Sequence, residues 1–78
     1  MRSRPPDRQA LGRAVRELRH EREWTIERLA EQAGLHWTYV GGIERGQRNP
    51  SWDNIVKLAV ALKVNVSELA ARAERLSR

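Results

Sequence analysis

The side chains suited to gripping a ligand are concentrated in one run, "HWTYVGGIERGQRNPS", from His36 to Ser51. Trp37, Thr38 and Tyr39 bring an indole with one donor and a broad apolar face, a hydroxyl beside a methyl, and a phenol. Such groups can reach base edges in a major groove: a threonine can bond a base or a phosphate, or set its methyl against a thymine methyl. The tyrosine hydroxyl is better suited to a phosphate than to a base. Arg45, Arg48, Asn49 and Ser51 follow at once, and together with the backbone amides around Gly46 and Ser51 they can hold a sugar-phosphate backbone, which positions without specifying. Blander readings stay open for each: Thr38 as a surface residue, Tyr39 as an aromatic packed on the preceding helix, and the loop as a basic solvated turn whose Gly46 and Pro50 follow from turn geometry alone.

Catalysis has no comparable foothold. No nucleophile, base and orienting group fall together, and the absence of cysteine excludes a thiol nucleophile, a disulfide and a thiolate metal site. His20 and His36 are the only histidines and lack a paired spacing, so no metal is expected, and no other cofactor is implied. The chain therefore reads as a binding protein rather than an enzyme.

Two adjacent glycines, Gly41 and Gly42, sit in the middle of the run. Each costs a helix interior roughly 1 kcal/mol against alanine. Gly41 is one turn beyond Trp37 and Gly42 one turn beyond Thr38, so the expectation is that they leave room for the indole to lie along the helix and for the backbone, at Gly42 above all, to approach a duplex closely. The alternative is that these positions are merely unconstrained.

An all-α, five-helix frame carries these residues. Asp7 can cap a helix whose Leu11, Ala14, Val15 and Leu18 keep the 3.6-residue period, running to about Glu23. Thr25 caps a second on Ile26, Leu29, Ala30 and Ala33, stopped by Gly34. His36 opens a third with Val40 and Ile43 facing inward, ended by Gly46 and Pro50. Ser51 caps a fourth on Ile55, Leu58, Ala59 and Leu62. Asn65, with Glu68 three residues on, starts a fifth whose stripe is Val66, Leu69, Ala70, Ala73 and Leu76. Trp24 and Trp52 are expected to pack. Leu69, Ala73 and Leu76 extend past what a four-helix core needs and are expected to meet a second copy, so the chain is expected to be a homodimer. Docking of the same stripe on the chain's own core remains open, least so for Leu76.

The chain has 78 residues and a formal charge of +5, with thirteen arginines against two lysines, a balance that points to a polyanionic partner. Residues 1–6 form a basic, proline-ended arm ahead of a single domain over residues 7–78. No apolar run is long enough for a membrane span or a signal peptide, so no membrane partner and a cytoplasmic, nucleoid-associated location are expected.

The pair of helices joined at Gly34 and Leu35, with small Ala30 between inward-facing Leu29, Ala33, Val40 and Ile43, has helix-turn-helix spacing. The stretch "LRHEREWTIERLAEQAGLHWTYVGGIERGQRNPSWDNIVKLAVAL" resembles the Cro and phage-repressor (XRE) family, and its recognition segment is similar to that of restriction-modification controller proteins. The resemblance implies a lambda-repressor-like five-helix domain from a bacterium or phage. It also implies a transcription regulator that binds double-stranded operator DNA, on inverted half-sites, as a dimer. It pairs Glu44 with Arg19 as a structural ion pair. This chain has Trp37 where the family carries arginine, and Ile26 where it commonly carries a phosphate-touching glutamine. A protein-interaction module of the antitoxin type is the alternative.

Overall fold

The computed structural model describes residues 5–77. The basic arm expected over residues 1–6 falls, for residues 1–4, outside the described residues. Among the described residues there are helices and no strand: α1 (Arg8–Glu21), α2 (Ile26–Ala33), α3 (Trp37–Glu44), α4 (Trp52–Ala61) and α5 (Val66–Leu76). None of them is long and apolar enough to cross a membrane.

The helix starts follow from local chemistry, because a polar group just ahead of each helix takes up an N–H that the first turn leaves without a partner. Asp7 Oδ1 accepts from the Ala10 amide at 2.9 Å, Thr25 Oγ1 from Arg28 at 3.0 Å, and Ser51 Oγ from Asn54 at 3.2 Å. At α5 the Glu68 carboxylate accepts from the Asn65 amide at 3.0 Å. The α2 stop is glycine in the left-handed region, Gly34 at φ 69°, which lets the Leu35 amide bond back to Ala30 at 2.9 Å. α1 and α4 stop the same way without glycine: Glu23 (φ 57°) and Lys63 (φ 59°) turn left-handed. α1 consequently ends at Glu21, short of the expected Glu23.

The core draws on all five helices. Ala14, Val15 and Leu18 of α1, Leu29 and Ala30 of α2, Val40 and Ile43 of α3, Leu58 and Leu62 of α4, and Leu69 and Ala73 of α5 are all buried. α1 packs on α3 and α5, while α2 packs on α3 and α4.

Two expectations are corrected here. Leu69 and Ala73 are 1% and 2% exposed inside the protomer, so these two belong to its own core and are not open to a second copy, while Leu76 is half-buried against the same core. The reason is that α5 lies on α1, held at its edge by Arg72, which bridges Glu17 and Glu21 at 2.9 and 2.6 Å, and by Arg13, which donates to the Leu76 carbonyl at 3.3 Å. Trp52, expected to pack, is 65% exposed. Leu58, Ala59 and Leu62 already fill the inward face of α4, leaving Trp52 on the rim of a shallow groove with Leu11, Ile55, Val66 and Ala70. Trp24 does pack against the core, with the Arg22 guanidinium 4.6 Å from its ring centre.

Candidate nucleic-acid interface

α3 has one face locked and one face free. Val40 and Ile43 are fully buried, which fixes the rotation of the helix about its own axis, while Trp37 and Thr38 project from its first turn, Trp37 with 54% of its surface exposed. Tyr39 lies between these extremes, half-buried against the core, with its hydroxyl oxygen accepting from Asn54 Nδ2 at 3.0 Å. Because that oxygen accepts from Asn54, the phenolic proton remains free to donate, the role a phosphate oxygen requires. Asn54 thereby ties α3 to α4. Sequence reasoning passed over it, since nothing local marks it beyond its place in the first turn of α4.

The turn into α3 is built by His36, whose Nδ1 accepts from the Thr38 amide at 3.1 Å and lies 2.7 Å from Thr38 Oγ1. The Trp37 indole stacks on this imidazole, with ring centres 5.9 Å apart and planes 25° from parallel. The indole therefore turns toward the start of the helix.

That position corrects the expectation for the glycine pair. A Cβ on Gly41 would meet the Arg45 guanidinium at 3.0 Å, and a Cβ on Gly42 would meet Arg48 Cγ at 2.7 Å. Side chains on a helix lean toward its N-terminus, so Arg45 at the helix end lies back over Gly41, while Arg48, in the loop past α3, folds back over Gly42. Gly41 and Gly42 thus form a bed for the two arginines rather than for Trp37 and Thr38, and Gly42 is covered by Arg48 instead of presenting bare backbone.

Glu44, an acid at the end of this helix, is accounted for by its partner. Arg19 grips its carboxylate with Nε at 2.7 Å and Nη2 at 2.9 Å, and donates through Nη1 to the Trp24 carbonyl at 2.8 Å. Both side chains are at least nine-tenths buried. The hydrogen bonds to Glu44 raise the Arg19 pKa above the guanidinium's already high value. One residue of α1 therefore fixes both the C-terminal end of α3 and the turn into α2, and the acid adds no open negative charge to the exposed face.

The loop after α3 is seated on the start of α1. Gly46 adopts φ 73°, its carbonyl accepts from Arg8 Nε at 2.9 Å, and the Gln9 side chain occupies the space where a Cβ would stand. Arg45, Arg48, Asn49 and Ser51 are exposed around this anchored turn, with Arg45 Nε donating to Gln47 at 3.2 Å. Ser51 has its hydroxyl oxygen committed to the α4 cap.

A family described as a helix-turn-helix domain matches residues 10–72. The control protein C.SmaI of Serratia marcescens is 38% identical over 65 residues, which span 83% of this chain and 77% of that one. Among solved structures, the restriction-modification controller protein C.AhdI from Aeromonas hydrophila superposes with a TM-score of 0.78 at 48% identity, covering 80% of this chain and 94% of its own. The biofilm regulator SinR, solved in complex with DNA, gives a TM-score of 0.72 at 33% identity, covering 76% of this chain and 95% of its own.

Proposed function

The chain belongs to the helix-turn-helix domain family, and from that membership we propose that it regulates transcription by binding operator DNA, with the first turn of α3 in the major groove. The observation that carries this reading is the two-faced α3: a back sealed by Val40, Ile43 and the Arg19–Glu44 pair, and a front of exposed Trp37 and Thr38 flanked by Arg45 and Arg48. In this arrangement the arginines, Asn49 and the Tyr39 hydroxyl hold phosphates, while Trp37 and Thr38 meet base edges.

Affinity for duplex DNA measured against salt tests the reading. Log affinity is expected to fall linearly with log salt at about 0.9 per phosphate contact, with about 4 to 8 contacts for a dimer. Arg48→Ala should lower that slope on every sequence. Binding that ignores salt would be incompatible with the phosphate-holding role.

Trp37 gives the base-reading part its own test. An indole favours thymine methyls over the bidentate guanine contact of an arginine. Trp37→Arg should therefore shift selected sites toward guanine at one position per half-site, and Trp37→Ala should lose specificity there while keeping most of the salt-dependent binding. Unchanged site preferences in both variants would remove Trp37 from the readout.

Assembly on an inverted repeat needs a twofold contact, and with Leu69 and Ala73 buried in the protomer we place it on α4. Trp52 and Val60 are 65% and 69% exposed on the outer side of α4, with half-buried Val56 between them, an apolar row suited to a second copy of itself. Val60→Asp should yield a folded monomer in sedimentation and weaken operator binding steeply, because the half-sites no longer act together. Leu69→Asp should instead unfold the protomer, since it buries a charge in the core. A parent protein that sediments as a monomer at tens of micromolar overturns the twofold arrangement.

A further inference from the structure

His36 sits against both the amide and the hydroxyl of Thr38. The Thr38 backbone amide can only donate, and it donates to His36 Nδ1 at 3.1 Å. Nδ1 must then carry a lone pair and no hydrogen, which places the imidazole proton on Nε2. Thr38 Oγ1 lies 2.7 Å from this same Nδ1. With no hydrogen on the nitrogen, the hydrogen in that contact is the hydroxyl's own. Thr38 has spent its one donor on His36, and the oxygen it presents outward has only lone pairs to offer. The Trp37 ring lies alongside the imidazole, with ring centres 5.9 Å apart.

We propose that His36 is a positioning residue for specificity: it fixes the Thr38 hydroxyl as an acceptor, so that Thr38 selects a base with an exocyclic amine in the major groove, adenine through N6 or cytosine through N4. Guanine and thymine offer only acceptors on that edge at the hydrogen-bonding positions and are rejected. This inference rests on α3 being the DNA-reading helix.

Two measurements test it. In the free protein at pH 8, imidazole nitrogen-15 shifts of His36 should show an unprotonated Nδ1 and a protonated Nε2. On a duplex selected by the parent from random DNA, adenines are replaced singly by purine and cytosines by 2-pyrimidinone, which removes the exocyclic amine. At one position per half-site this should weaken parent binding about three- to tenfold, the worth of one hydrogen bond. Thr38→Val, which keeps the shape and loses the hydroxyl, should be indifferent to the change at that position. His36→Ala should release the hydroxyl to rotate and accept guanine or thymine there nearly as well. His36→Asn, whose side-chain oxygen accepts both hydrogens, should restore the discrimination, a recovery that helix stability alone does not produce. A proton on Nδ1, a parent indifferent to every amine, or a His36→Ala variant with the parent's base preference overturns the inference. Failure of the parent to select any duplex removes the DNA-reading itself and this inference with it.

Discussion

Gly12→Ala is expected to destabilise the protein by about 3 kcal/mol, although alanine is the better helix former by roughly 1 kcal/mol. A Cβ at Gly12 would overlap the Ile43 carbonyl oxygen and stand 2.8 Å from that of Glu44. Both obstacles are backbone, so no side-chain rotation relieves them, and α1 and α3 must move apart. The displaced segment ends in Glu44 and leads into Arg45, so DNA affinity should fall with stability. Gly41→Ala is the matched control. Its Cβ meets only the far end of the Arg45 side chain, which can swing away, so this variant should hold or slightly exceed the parent's stability. Urea unfolding of the three proteins decides the matter. A Gly12→Ala midpoint equal to the parent's would mean that the α1–α3 contact is not as close as described.

Glu44→Ala is expected to cost about 3 to 5 kcal/mol, because it leaves the Arg19 guanidinium buried with only the Trp24 carbonyl as partner. Small domains are stable by only about 5 to 15 kcal/mol in total, so the variant should be close to unfolding at 37 °C. Arg19→Met should be similarly damaging. Their combination, Arg19→Met with Glu44→Leu, removes both charges and should recover much of the loss, since an apolar replacement of a buried pair is often neutral. Additive losses in the double variant would show that the two side chains act separately. The pair also sets the orientation of α3 against α1, so the recovered double variant should still bind DNA more weakly than the parent wherever α3 has shifted.

The helix starts were legible in the sequence because the interactions that make them are local. Asp7, Thr25, Ser51 and Asn65 act on a partner three residues away and His36 on one two residues away, so the residues that decide are all within view. The inward positions Leu29, Ala30, Val40 and Ile43 were legible for the same reason, as periodicity marks a face. That Trp37 and Thr38 are exposed followed directly, since the core positions of their short helix were already taken.

Periodicity does not say what a face meets. The stripe of α5 was visible, and its destination was not: Leu69 and Ala73 reach α1, more than fifty residues earlier, and only the assembled bundle shows that they complete a core instead of offering an interface. The outer side of α4 is the converse, since Trp52 looked like core until Leu58, Ala59 and Leu62 had filled the space. Gly12 gave no local sign of its importance, because the carbonyls that require it belong to Ile43 and Glu44. Gly41 and Gly42 were conspicuous, but what fills the space above them depends on how Arg45 and Arg48 fold back along α3. Amino-acid order alone thus established where each helix begins, which face most of them bury and that the first turn of α3 is left exposed. Which surfaces meet, and which stay exposed, came from packing, because apolar burial is non-directional and is settled only when every competing face is in place.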